Sequence, residues 1–338
     1  METLRLAVNK TEYHKSITTA AEILKNGGVV GVPTETVYGL AASAYDNNAI
    51  KKVFDAKGRP QDNPLIVHIS DMEMLSEVAE DIPPIAYTLA ESFWPGPLTM
   101  VLHRTERVAE SVSAGLHTVA VRMPSNQIAL DVIKKSGLPL AAPSANVSGR
   151  PSPTTAAHVV NDLDGKIDAV LMGENCDFGV ESTVITLVGQ TPILLRPGAV
   201  TYEQLLKFLP TLEIADAVLN ELKSGDKAES PGMKYKHYAP KTTAFLVEGD
   251  NFADFVNKQE NAVAVCFEEE SNNIKIPKLI YGSVNDTLSL AHSIFAVLRE
   301  VDKFGAERVF IHAPEKEGVG LAVYNRLIRA AAFKVIKL

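Results

Sequence analysis

Four groups of residues in this 338-residue chain have types and spacings suited to chemistry. Lys57 and Arg59 stand two apart, where an amphipathic stretch stops at Gly58 and Pro60. Two cations there either complement a helix dipole or clamp a polyanion, with a planar fork from Arg59 and a point charge from Lys57. Arg122 lies in the run TVAVRMP, alternating with Val119, Val121 and Met123 and sharing a face with Ala120. A buried arginine needs an anion, which a protein carboxylate or a ligand can supply. The loop Ser144-Ala145-Asn146-Val147-Ser148-Gly149 offers small polar donors with little bulk. Such a loop either wraps phosphate through N–H and hydroxyl groups or is a plain turn. Hydrogen-bonding residues complete the set: the cluster Thr34, Glu35, Thr36 and Tyr38, then His68, then Ser182 in GVEST, with Arg196 presented on a turn.

These groups need elements to place them. Val29–Val32, after Gly27-Gly28 and before Pro33, reads as a buried strand. A helix is expected from about Asn48, capped by Asp46 or Asn47, with Ile50, Val53 and Phe54 on its apolar face. Leu65, Val67 and Ile69 form one face of a strand and His68 lies on the other, where a structural role is the plainer reading. Further helices are expected over 16–26 (capped by Ser16 or Thr18), 71–81, 84–92, 126–136 and from about Ala156. Further strands are expected over 98–102, 138–142, 168–172, 183–188 and 193–195. Trp94, in a WPGP turn, reads as a packing residue. Strands interleaved with helices suggest an open α/β sheet. The chain has neither a G-x-x-x-x-G-K-[ST] loop nor a GxGxxG fingerprint, so a bound nucleotide requires another architecture.

After one short helix the pattern fades over 203–229 into a polar stretch read as a linker. Lys234, Lys236, His237 and Tyr238 follow, either as a solvated basic end or as a segment folding back over the first domain's pocket as a lid. From Thr242 strands and helices alternate in a small doubly wound pattern: strand 243–247, helix 250–258, strands 262–267 and 278–281, helix 286–303, strand 308–312, helix 319–332. The division is thus 1–205, 206–240 and 241–338. Gly318 and Gly320 open the last helix, for close packing or to meet an anion.

Apolar residues make up 46% and charged residues 22%, as in an ordinary globular protein. A net charge of −8 argues against a protein whose main business is coating nucleic acid. Cys176 and Cys266 are too few for a disulfide framework or a cysteine metal cluster and suit a reduced compartment. Cys176, in GENCDFG, reads as an incidental thiol. METLRLAVNK has no apolar signal region and no 18-residue window is uninterruptedly apolar, so a cytoplasmic protein that does not span a membrane is expected.

The segments PTETVYGL, KGRP with NPL, and APSANVSG carry a Lys-x-Arg pair (Lys57, Arg59) and a Ser-x-Asn pair (Ser144, Asn146). Together, over about residues 10–200, they resemble the YrdC-domain family. SPGMKYKHYAP at 230–240 and VGLAVYNRLIRAA at 319–331 resemble the tail of its two-domain members, the L-threonylcarbamoyl-AMP synthases. The resemblance implies a twisted open mixed sheet with helices, followed by a smaller Rossmann-like α/β domain. It implies synthesis of L-threonylcarbamoyl-AMP and pyrophosphate from L-threonine, bicarbonate and ATP. The adenylate then passes to a tRNA threonylcarbamoyl transferase that modifies the adenosine beside the anticodon of ANN-decoding tRNAs.

By the same resemblance Arg122 takes the threonine carboxylate, with Thr36, His68, Ser182 and the Ala142 backbone around the rest. Lys57, Arg59, Ser144, Asn146 and Arg196 suit the triphosphate, and Asn63, Thr118, Ser152 and Tyr238 match nucleotide contacts. Mg²⁺ is expected on the ATP phosphates, with few protein ligands. No residue is an evident general base, and charge stabilisation falls to Lys57 and Arg59. The second domain has no assignable chemistry; control of the lid is the hypothesis for it. A non-catalytic RNA-binding module of the YrdC type is the competing reading, with at most weak tRNA binding expected from the charge. A carbamoyl-transfer domain like that of hydrogenase-maturation proteins is a minor one, since two cysteines cannot build the zinc fingers those carry.

Overall fold

The computed structural model describes residues 2–221 and 237–338. Among these residues the chain forms two sheets. The first has twelve strands, ordered Leu4–Ala7, Ala169–Met172, Val30–Val32, Gly39–Ser43, Leu140–Ala141, Ile66–His68, Thr118–Arg122, Leu98–Arg104, Thr183–Thr186, Ile193–Arg196 and Glu213–Ile214, with Ala79–Glu80 beside Leu98–Arg104. It is mixed: Ile66–His68 runs parallel to Thr118–Arg122, and both have antiparallel neighbours on their other sides. Alternation sends Val67, Val119 and Val121 into the main core and Ile66 and Ala120 into a smaller cluster on the opposite face.

The second sheet is wholly parallel, ordered Lys278–Ile280, Ala262–Cys266, Arg308–His312, Thr243–Glu248 and Val335–Lys337. Ala262–Cys266 is apolar at every position, as a strand covered on both faces should be. Val263 and Val265 face helices Thr287–Val301 and Gly318–Ala330; Ala262, Ala264 and Cys266 face helix Phe252–Val256. The cluster on the first of these faces also contains Val37 and Val180 of the first body, so the two bodies share a core.

Some elements depart from expectation. Gly39–Ser43 is a central strand rather than the loop before a helix. The first helix begins at Tyr13 without a side-chain cap; Ser16, expected to cap it, is buried and donates to the Ala7 carbonyl at 2.6 Å. Up to Glu221, the stretch read as a linker folds onto the first sheet. Glu213–Ile214 pairs with Ile193–Leu194, and Leu209 and Leu212 enter the main core. Lys234 and Lys236 lie outside the described residues. Among the described residues no helix is long and apolar enough to cross a membrane.

Candidate functional site

The site lies where the middle of the first sheet ends. Helix Asn47–Lys57 is capped by Asp46, whose side chain accepts from the Asn48 N–H, and stops at Gly58 in the left-handed region, φ 60°. That stop sets Lys57 against the loop after Leu140–Ala141 and Arg59 in the cleft wall. Neighbouring strand ends set His68 beside Arg122. Thr34 ties the turn after Val30–Val32, its Oγ1 donating to the Val37 carbonyl at 2.6 Å and accepting from the Thr36 and Val37 N–H groups. These ends enclose a cleft lined largely by polar and charged side chains.

One end of the cleft is desolvated. Arg122 is 3% exposed; its Nε donates to the Gly96 carbonyl at 3.2 Å and Nη1 to Thr36 Oγ1 at 2.8 Å. Its Nη2 lies 2.5 Å from Oε1 of Glu35, which is 1% exposed. The contact is an ion pair without hydrogen-bond geometry: Arg122 Nη2 and both Glu35 oxygens have no hydrogen-bond partner. His68 Nδ1 is likewise buried and unpartnered. Burial, then the charge of Arg122, push the imidazole down to about 3, so it is neutral at physiological pH.

The other end is cationic. Arg196 donates through Nε to the Ser182 carbonyl at 3.0 Å and through Nη2 to Ser182 Oγ at 3.1 Å. Burial, then the charge of Arg326, bring its guanidinium down to about 10, still charged at neutral pH. Arg59 donates to the Asn63 carbonyl at 3.1 Å. Lys57 aims its ammonium at the Ser144 carbonyl, the Asn146 carbonyl at 2.8 Å and Asn146 Oδ1 at 3.5 Å. Burial, then the neighbouring Arg59 charge, hold it well below the usual lysine range. Asn146 Nδ2 closes the loop onto the Val147 and Arg150 carbonyls, both at 2.9 Å.

Comparison with known proteins agrees with this geometry. The family described as "Telomere recombination" matches residues 22–198, and "Threonylcarbamoyl-AMP synthase, C-terminal domain" matches residues 200–332. A threonylcarbamoyl-AMP synthase of Pyrococcus abyssi is 45% identical, over 94% of each chain. The chain belongs to the threonylcarbamoyl-AMP synthase family. Another member, from Bacillus subtilis, is 39% identical over the full length of both chains. The solved structure of P. abyssi Sua5 complexed with L-threonine superposes with a TM-score of 0.91 at 40% identity, covering 100% of each chain. Like its relatives, this chain is a transferase enzyme rather than a non-catalytic RNA-binding module.

In this family member the cleft wall brings together Thr36, His68, Arg122, Ala142 and Ser182, and with them Lys57, Arg59, Ser144, Asn146, Arg196 and Tyr238. Asn63, Thr118 and Ser152 are not in the wall. Asn63 is wholly buried. Thr118 pairs with His103 at the far end of the strand that carries Arg122, about 13 Å away at strand rise. Ser152 sits behind the wall and donates to Glu181 Oε1 at 2.5 Å. Lys57 lines the cleft and also staples the Ser144–Asn146 loop through its ammonium. Gly320 serves packing, since a Cβ there would meet the Glu315 carbonyl at 2.3 Å, and the Gly318 N–H meets a protein anion, Glu203, at 3.4 Å.

Sequence reasoning placed Glu35 in the polar cluster but did not pair it with Arg122, whose guanidinium it meets. It did not single out Glu181, which lines the wall, as does His237, expected in a segment folding back over the pocket. Glu35 had a usable signal, because it stands next to Thr36 in a motif already singled out. Glu181 had none, because its partner Arg326 lies 145 residues away.

Proposed function

We propose that the chain makes L-threonylcarbamoyl-AMP and pyrophosphate from L-threonine, bicarbonate and ATP, with threonine at the Arg122 end and the triphosphate at the Arg59 and Arg196 end. The observation that carries this is the Arg122 end itself. A buried guanidinium keeps Nη2 without a hydrogen-bond partner beside a neutral imidazole and the Thr36 hydroxyl. A carboxylate completes that hydrogen bonding, and His68 Nδ1 and Thr36 suit a hydroxyl. A site that hydrogen-bonds the threonine hydroxyl rejects valine by leaving polar groups unpaired; against serine it has only a methyl, about 1–3 kcal/mol.

The threonine amine attacks the carbon of bicarbonate, and a C–O bond breaks as water leaves, giving a carbamate. A carbamate oxygen attacks the α-phosphorus in line as pyrophosphate leaves. Arg59 and Arg196 oppose the charge that develops there. Among the described residues the wall supplies no evident general base, and positioning is the source of acceleration that fits them, to which orientation contributes about 7–11 kcal/mol. Mg²⁺ neutralises phosphate charge when bound. The residues present fit an ion carried in by the nucleotide: Glu181, the carboxylate in the wall, has Oε1 on Ser152 and Oε2 on Arg326. The adenylate is a mixed anhydride, suited to consumption by a tRNA threonylcarbamoyl transferase in the cytoplasm, with tRNA contacts left to that partner.

The test is pyrophosphate release from ATP, with threonine and bicarbonate omitted singly. Release should require both, and Arg122→Ala should abolish it. Release needing neither would sink the proposal.

A further inference from the structure

The C-terminal body offers no chemistry of its own, yet one of its side chains reaches the cleft wall of the other body. Helix Gly318–Ala330 buries every residue from Val319 to Ala330, polar ones included. Such a helix is normally amphipathic. Its polar residues are buried because they bond across the boundary. Asn325 donates to the Val218 carbonyl at 2.6 Å, and Arg329 donates to the Ala217 carbonyl. Arg326, at 0% exposure, reaches furthest. Its Nε donates to Glu181 Oε2 at 2.8 Å, Nη2 to the Glu181 carbonyl at 3.2 Å and Nη1 to the Pro197 carbonyl at 2.9 Å. One guanidinium therefore ties the residue before Ser182 to the residue after Arg196. Its Cζ also stands 5.9 Å from the ring centroid of Tyr238, another wall residue.

We propose that Arg326 is a positioning residue for the nucleotide end of the cleft, fixing Glu181-Ser182 against Arg196-Pro197 across the boundary between the bodies. This rests on the placement of the triphosphate given above. Two cations compete for one anion. Glu181 is a buried anion between two buried cations, Arg326 and Arg196. Arg326 and Ser152 engage both its oxygens, which leaves Arg196 on Ser182. With Arg326 gone, the uncompensated carboxylate would turn to Arg196, its remaining cation, and draw that guanidinium off Ser182. The ATP end would be mis-set while the Arg122 end, bonded to Gly96 and Thr36, would keep its geometry.

The experiment uses the full-length chain. Calorimetry gives the Kd of a non-hydrolysable ATP analogue, pyrophosphate release gives KM for ATP and for threonine, and melting gives Tm. Arg326→Met should weaken the ATP analogue by about tenfold or more, the scale of one charge-assisted contact, with a clearly smaller rise in KM for threonine, which feels the change only through Ser182. Adding Glu181→Gln should restore most of the ATP affinity, because a neutral amide does not pull on Arg196. Arg326→Lys should show a smaller rise of the same selectivity, and it keeps the proposal testable if the methionine variant does not fold. A fall in Tm with the analogue's Kd unchanged would overturn the proposal. So would a parallel rise in both KM values, or no rescue by Glu181→Gln. The proposed reaction fails separately, if the unsubstituted chain releases pyrophosphate without threonine and bicarbonate; analogue binding still decides the role of Arg326.

Discussion

Two buried arginine–glutamate pairs adjoin the same cleft, and they differ in completeness. Arg326–Glu181 crosses the boundary between the bodies, and both carboxylate oxygens carry hydrogen bonds. Arg122–Glu35 lies within the first body, and one guanidinium nitrogen and both carboxylate oxygens lack a partner. Nature leaves few buried polar groups unsatisfied, and each unsatisfied group in a native fold asks for an explanation. The contrast assigns different work to the two pairs. The complete pair holds the frame, and the incomplete one has bonding capacity that threonine can use. Charge balance fits this division. Burial would raise the Glu181 carboxyl, but the charges of Arg326 and Arg196 and the hydrogen bonds to Ser152 and Arg326 outweigh burial and hold it below the usual carboxylate range.

The largest expected effect separates substrate handling from stability at the incomplete pair. Arg122→Met should strand Glu35 and cost about 3–5 kcal/mol in chemical denaturation. It should also remove about 2–5 kcal/mol of threonine recognition, a loss of some thirtyfold to several thousandfold in kcat/KM. Adding Glu35→Leu should bring back most of the stability and none of the activity, because an apolar pair of similar volume packs without desolvation cost. Recovery of both would break the comparison, since Arg122 would then be structural, as Arg326 is in part. Recovery of neither would mean that Glu35 itself takes part in the reaction.

Much of the frame was legible in the sequence and less of the cleft. Val30–Val32, Ile66–His68 and the second body's strands announce themselves through runs of β-branched residues. Gly39–Ser43 does not, because GLAAS holds no β-branched residue and is small everywhere but Leu40. It is a central strand because Gly39 must approach the Ala142–Pro143 backbone, where a Cβ would lie 3.1 Å from the Ala142 Cβ. Val335–Lys337 is the exception in the second body: it follows the last expected helix at the end of the sequence and takes its place by pairing with Leu246–Glu248. The cations of the cleft were readable from their motifs. Their partners were not, because a buried carboxylate has the same letter as a solvated one. Lys57 shows the limit best. Its position at a helix end was evident, but its acceptors are carbonyls of Ser144 and Asn146, contacts that no spacing rule foretells.

A mid-sized effect concerns pH. His68 is buried with its imidazole pushed down to about 3, first by desolvation and then by Arg122, the charged group beside it. The unfolded chain takes its proton near pH 6.5, so between 6.5 and 3 the unfolded state binds more protons. Stability therefore rises with pH through that window and is lost on acidification. The slope from this residue is about 1.4 kcal/mol per pH unit. His237, also pushed down to about 3 by burial and then by Arg59, adds in the same direction. Denaturation curves between pH 7 and 4 should show His68→Asn flattening the dependence by roughly that slope. Equal slopes would show that His68 is protonated in the folded chain, and an imidazolium beside Arg122 would change the reading of the threonine end.

The smallest effect compares the two bodies through their thiols. Cys176 lies behind the Glu35 turn and Cys266 inside the second sheet; burial pushes each up to about 12. Neither is a native nucleophile, so alkylation reports opening rather than intrinsic reactivity. If the incompletely bonded end opens on its own, Cys176 should label faster than Cys266 in the native chain at pH 8. Threonine at ten times its Kd should then slow Cys176 by up to about tenfold and leave Cys266 unchanged. Equal rates, slowed equally by threonine, would mean that both bodies open only together. The shared core around Val37, Val180 and Tyr238 would then outweigh the difference between the two pairs.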